Sequence, residues 1–266
     1  MSALGVWRLR VGYRSGVAMR RLWRIGIGVA ASPSRFSVFA IAYFLAVLGV
    51  DQLCNRPEQL LLGALTWVVL LVACVPLSRE RRAQVAGVVL VATCAEFLGS
   101  IVWGVYRYRL GNLPMFVPPG HGLVFLLGLR LSQLDTVRRH TKAFIGAVLV
   151  AALVWGALGV TAFHRTDLLG ALGIVVFLLY VRYGPTPAIY AGVFIAVGML
   201  EIAGTAIGTW GWKPVVPGTS VTSGNPPSGA IAGYALFDIC AMLLAPLFLR
   251  IVSRERAPEA ALPETA

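Results

Sequence analysis

Charged side chains are scarce in this chain. They make up 13% of the 266 residues, against about 25% in ordinary soluble domains. Acidic residues are the rarer sign, 11 against 23 basic. So few charges cannot cover a compact soluble surface of this size, which argues against a soluble globule. A Gly-X-Y period and a heptad are also missing, and the chain is too apolar for disorder, so collagen, coiled coil and unfolded segments are excluded. Only four cysteines occur, Cys54, Cys74, Cys94 and Cys240, with no Cys-x-x-Cys pair and no His/Cys cluster. Neither a disulfide framework nor a zinc site follows. With no Walker A loop, G-x-S-x-G elbow or H-E-x-x-H pair, no redox or nucleotide cofactor and no metal are implied.

What the chain has is apolar length. Hydrophobic residues reach 58%, which predicts an all-α, polytopic integral membrane protein. Eight apolar stretches read as about eight transmembrane helices: Phe36–Val50, Leu60–Leu77, Gln84–Val105, Gly120–Leu134, Ala143–Phe163, Leu168–Tyr183, Ala188–Trp210 and Ala230–Val252. The first and fourth are the shortest. They read as tilted or partial spans, or as spans with borrowed flanks, so seven is the other count.

The net charge of +12 would suggest nucleic acid in a soluble protein. Here the distribution of basic residues argues for orientation in a bilayer, and no nucleic-acid partner is expected. Only Arg56, Arg107, Arg109, Arg165 and Lys213 fall on one side; the other eighteen of the 23 basic residues fall on the opposite side, with both termini. The positive-inside rule then predicts a multi-pass protein of the cell (inner) membrane with both termini cytoplasmic. Residues 1–35 read as a basic cytoplasmic arm, either a topology-setting tail or a surface helix on anionic lipid. Residues 36–134 and 135–252 read as two membrane repeats, and residues 253–266 as a flexible cytoplasmic tail.

The sequence repeats one of its own motifs. Glu96-x-x-Gly99-Ser100 followed by Gly104-x-Tyr106-x-Tyr108 returns, about 105 residues later, as Glu201-x-x-Gly204-Thr205 and Gly208-x-Trp210-x-Trp212. Pro118-Pro119-Gly120 then corresponds to Pro226-Pro227-Ser228. The pattern predicts a duplication into two parallel four-helix repeats about an axis normal to the membrane. Each half supplies one Glu at equivalent depth and one aromatic loop on the outer side.

Glu96, Glu201 and Asp238 lie inside apolar stretches, where an ionisable group is expensive and faces the protein interior by default. For each, two readings stand. Buried ion pairs or inter-helix hydrogen bonds could fix packing, or a protonated carboxyl in a dry site could serve as a general acid. Tyr106, Tyr108, Trp210 and Trp212 are either an aromatic belt or faces that stabilise a carbocation. Arg107 and Arg109 interleave with the tyrosines, to bind lipid phosphate or to cap the interface. His121, after the Pro-Pro-Gly turn, is a satisfied interfacial histidine or a catalytic one. Asn225 sits in a Gly/Pro/Ser/Thr-rich loop from Gly211 to Gly229. That loop and the one between Tyr106 and Gly120 are long enough to be lids over a site between the halves.

The run Glu96-x-x-Gly99, Gly104-x-Tyr106-x-Tyr108, Leu110-Gly111 and Val117-Pro118 resembles the membrane carotenoid hydratases of the bisanhydrobacterioruberin hydratase type. Trp210-x-Trp212 and the Asn225 loop are similar to that family's downstream half. The chain departs from the family in Pro118-Pro-Gly-His-Gly122 and Gly224-Asn-Pro-Pro-Ser-Gly229. The resemblance implies addition of water to an isoprenoid double bond. Glu96 or Glu201 would protonate the alkene, and Tyr106, Tyr108, Trp210 and Trp212 would shield the cation. The other carboxylate or Asp238 would orient water.

The sequence thus points to a membrane enzyme acting on an isoprenoid, carotenoid or other lipid by acid-catalysed alkene chemistry. A proton- or cation-coupled transporter or lipid flippase, with the two Glu residues as the coupling pair, is a second reading. A non-catalytic membrane assembly partner is a third.

Overall fold

The computed structural model describes residues 20–255, apart from the side chains of Asp238, Leu247, Phe248, Arg250 and residues 251–255. The first nineteen residues of the basic arm and residues 256–266 of the tail lie outside the described residues. The arm's remainder begins with a helix over residues 20–31 (α1). There follow α2 (Pro33–Asp51), α3 (Arg56–Cys74) and α4 (Arg79–Glu96), the last continued by a π-helical segment, Phe97–Trp103. A short strand β1 (Tyr106–Tyr108) leads to α5 (Val117–Ser132), and a single turn α6 (Asp135–Arg139) joins it to α7 (Thr141–Thr161). Then come α8 (Leu168–Tyr183), α9 (Pro187–Ala206), a second strand β2 (Trp210–Trp212) and α10 (Ile231–Glu255).

The helix starts follow from local chemistry. Proline stands in the first turn of α2, α3, α5 and α9, where its missing N–H costs nothing. Asn55 and Glu58 close a reciprocal capping box on α3. Among the described residues, five helices are long and apolar enough to cross a membrane: α2, α3, α4 with its π extension, α7 and α9. At 16 residues, α5 and α8 reach about 24 Å, short of a hydrocarbon core of about 30 Å.

The expected stretches map onto these helices with shifted ends, and two shifts matter. The third and seventh stretches were expected to run to Val105 and Trp210. Instead the helical segments end at Trp103 and Ala206, and both aromatic steps leave the helix as strands. The cause is a glycine at each exit. Gly104 (φ 71°) and Gly208 (φ 79°) take left-handed conformations that turn the chain back.

Helix α5 is buried along almost its whole length, from Pro118 to Leu129, as an all-round apolar helix should be. It packs chiefly on α9, while α4 packs chiefly on α10. The α5–α9 crossing is close because it is made of small residues: a Cβ on Gly192 would stand 2.5 Å from the Gly128 carbonyl oxygen. Backbone cannot yield there as a side chain would. Gly192→Val is therefore expected to lower stability by about 1–3 kcal/mol, read as a fall in unfolding temperature in detergent. Gly146→Ala on α7, whose Cβ would meet nothing within 4 Å, should leave that temperature unchanged or slightly raised.

Candidate functional site

Each repeated motif folds into the same local device. Four residues after its Glu, a hydroxyl bonds back to the Glu carbonyl: Ser100 Oγ donates to Glu96 O at 2.7 Å and Thr205 Oγ1 to Glu201 O at 2.6 Å. Such bonds bend helices. The left-handed glycine then reverses the chain, and the next two aromatics return along the helix to its carboxyl. The inner glycine gives them room, since a Cβ on Gly99 would lie 3.2 Å from the Tyr106 ring and one on Gly204 2.1 Å from the Trp210 ring.

The returning side chains donate to the acids. Tyr106 and Tyr108 hydroxyls both reach Glu96 Oε2 at 2.7 Å. Both phenols are pushed well above the ordinary tyrosine value, by burial first and by the Glu96 carboxylate second, so they stay protonated donors. Trp210 and Trp212 donate their indole N–H groups to Glu201 Oε2, each at 3.0 Å. The strands pair antiparallel, Tyr106 with Trp212 and Tyr108 with Trp210. The Tyr106 and Trp212 rings lie 4.5 Å apart. One hydrogen bond, one ring contact and a second hydrogen bond thus link the two carboxyls.

His121 completes the Glu96 end, with Nε2 3.1 Å from Oε1. Its ring lies 4.9 Å from that of Tyr234 and 5.6 Å from that of Phe237, both on α10. Its Nδ1 is buried and has no hydrogen-bond partner among the described residues. Glu96, Glu201, His121, Tyr106, Tyr108, Trp210, Trp212 and Tyr234 all line one cavity of about 630 Å³, whose wall is otherwise overwhelmingly apolar. No group of three His, Cys, Asp or Glu side chains that could hold a metal ion occurs among the described residues.

Other expected site residues lie elsewhere. Arg107 points outward and is exposed. Arg109 turns away from the cavity to Asp51, with Nε 3.5 Å from Oδ2 and further bonds to the Asp51 and Cys54 carbonyls. Asn225 holds β2 by accepting the Trp212 backbone N–H at 2.8 Å. None of these three is part of the cavity wall. Asp238 belongs to α10, but its side chain lies outside the described residues. Arg130, which follows Pro119 at the spacing by which Asp238 follows Pro227, bonds to Gln133 and to the Ala30 carbonyl.

Two acids carry structure that sequence reading passed over. Asp167 caps α8 and accepts from Gly170 N, Gly224 N, Ser228 N and Ser228 Oγ at 2.7–2.9 Å. It clamps the Asn225 loop onto the helix. Asp51, fully buried at the end of α2, accepts from Gln59 Nε2 at 2.7 Å, and Gln59 accepts from Asn112 at 2.8 Å. The available signal was an Asp directly before or after an apolar run, the position of a cap rather than of a span. Tyr234 was also missed, because one tyrosine in an apolar helix carries no sequence signal.

Comparison with family models, curated proteins and solved structures found no match to this chain.

Asp167→Ala leaves four buried donors without an acceptor. It is expected to cost about 3 kcal/mol or more, seen as a lower unfolding temperature together with faster proteolysis between residues 223 and 228.

Proposed function

We propose that the protein is an integral membrane enzyme that adds water to a double bond of an isoprenoid, carotenoid or other lipid by acid catalysis. One observation carries this reading: two buried carboxyls, each held by a pair of aromatic donors, face a single apolar cavity. The resemblance of the Glu–Gly–aromatic motif to membrane carotenoid hydratases points the same way.

The topology belongs to the same proposal. The chain crosses the cell (inner) membrane eight times, with α2, α3, α4 and α5 in one half and α7, α8, α9 and α10 in the other, both termini cytoplasmic. The halves are related by an axis along the membrane normal. The antiparallel pairing of β1 with β2 supports this, as does the exchange by which each Glu helix packs on the last helix of the other half.

In the reaction, Glu201 is the proton donor. Its partners are two neutral indoles, and no cation lies within ion-pair distance among the described residues. The Glu201 proton passes to one alkene carbon, and the electron pair of the double bond forms the new C–H bond. The positive charge left on the more substituted carbon faces the Tyr and Trp rings. Water attacks that carbon and forms the C–O bond. Its surplus proton goes to the Glu96–His121 pair and from there to solvent, and solvent returns a proton to Glu201. The sum is alkene plus water giving an alcohol. The dry wall keeps other nucleophiles away.

The test is expression in a host that makes acyclic isoprenoids, with lipids and carotenoids profiled by mass spectrometry. A product heavier by one water is expected. Glu201→Gln should reduce it by about 10²-fold or more, as loss of a general acid does, and Glu96→Gln and His121→Phe should reduce it as well. Unchanged lipids together with pH-dependent solute uptake would replace this reading with coupled transport.

A further inference from the structure

Most residues of the cavity wall are buried or half-buried, and the few that are exposed come from two elements. They are Leu98 (57% exposed), Trp103 (56%), Leu172 (59%) and Val176 (37%). Leu98 and Trp103 belong to the π-helical segment after α4. Leu172 and Val176 lie one turn apart on the same face of α8. No extended packing joins these two elements. The cavity wall is therefore exposed at both elements, and it is hydrocarbon there apart from one indole N–H. That group is already engaged, donating to the Pro217 carbonyl at 3.0 Å.

The loop side of the cavity is closed by hydrogen bonds. The two strands pair across it. Arg165 ties down the Trp212 carbonyl at 3.1 Å, and Arg56 the Leu110 carbonyl at 2.9 Å. The Asp167 clamp fixes the Asn225 loop beside them. A ligand arriving from water would have to break this roof. One dissolved in the bilayer would meet only the apolar gap.

We infer that the gap between the π-helical segment and α8 is a lateral portal, through which the hydrocarbon chain of a membrane-dissolved lipid passes from the bilayer to Glu96 and Glu201. The proposal rests on the reading of the cavity as a lipid site and adds the route and the manner of binding. A volume of about 630 Å³ falls within the range of roughly 300–1,000 Å³ that houses drug-sized ligands. A long-chain lipid is not enclosed whole in such a space. Its reacting part sits between the carboxyls while the remainder lies in the portal and the surrounding bilayer.

The experiment labels a cavity thiol in the full chain in proteoliposomes. Cys54, Cys74, Cys94 and Cys240 are replaced by alanine, and Val124→Cys is introduced on the α5 wall of the cavity. Two reagents are compared, an N-alkyl maleimide dissolved in the bilayer and a charged methanethiosulfonate added on both sides. The maleimide is expected to label the thiol and the charged reagent to be excluded by the apolar rim. Adding Leu98→Trp with Leu172→Trp, both at exposed positions, should slow maleimide labelling about tenfold by filling the gap. Equal labelling by the charged reagent, labelling by neither, or a maleimide rate untouched by the tryptophan pair would overturn the portal. If the Val124 variant does not fold, Ala232→Cys on the α10 wall serves in its place. Labelling needs no turnover, so intact portal behaviour without any hydrated product would sink the proposed reaction and leave the portal standing.

Discussion

A carboxyl group withdrawn from water must be given hydrogen-bond donors, because an unsatisfied or unpaired acid in an apolar interior costs several kcal/mol. Near each of Glu96 and Glu201 the helix backbone has used its own N–H groups, so donors must arrive from elsewhere. The chain brings them by folding back. A hydroxyl that loosens the last helical turn, a glycine that permits close approach, a glycine that reverses direction and two aromatic donors are what that return needs. The two short strands follow from it, since two return segments arriving side by side pair their backbones. The cavity lies beneath them.

The supporting acids obey the same constraint with different donors. Asp167 is satisfied by three backbone N–H groups and one hydroxyl, and Asp51 accepts from one amide and lies at ion-pair distance from a guanidinium. Among the described residues, Asp51 keeps one oxygen without a hydrogen bond, at ion-pair distance from Arg109 alone. Neither acid faces the cavity. They fasten the two long connections, so the aromatic pairs are positioned from behind by groups that do no chemistry. The loops expected as lids are thereby held as a fixed roof, which moves the opening of the cavity to its apolar flank.

Much of the arrangement could be read from residue order alone. The apolar stretches marked the helices, because bilayer-length hydrophobic runs have few other uses. The Glu–Gly–aromatic repeat marked the carboxyls and their partners, because duplicated polar residues in such runs stand out. The helix exits were harder: Val105 and Trp210 continue the apolar composition, and only a left-handed glycine ends each helix before them. Arg109 and Asn225 were read as ligand-binding because of their neighbours in sequence. In space each turns to a backbone or side-chain partner that sequence distance conceals, Asp51 at 58 residues and Trp212 at 13. Tyr234 and the buried face of His121 depend on how α10 meets α5, and no local pattern encodes that contact.

The aromatic donors of the two acids differ in atom type, oxygen on the tyrosines at Glu96 against nitrogen on the tryptophans at Glu201. A phenol oxygen can give a hydrogen and take one, whereas an indole N–H only gives. The donors at Glu96 can therefore also accept a hydrogen, and those at Glu201 cannot. In the reaction proposed above, that difference gives the pair of acids a direction, with the hydrogen ion released at Glu201 and collected at Glu96.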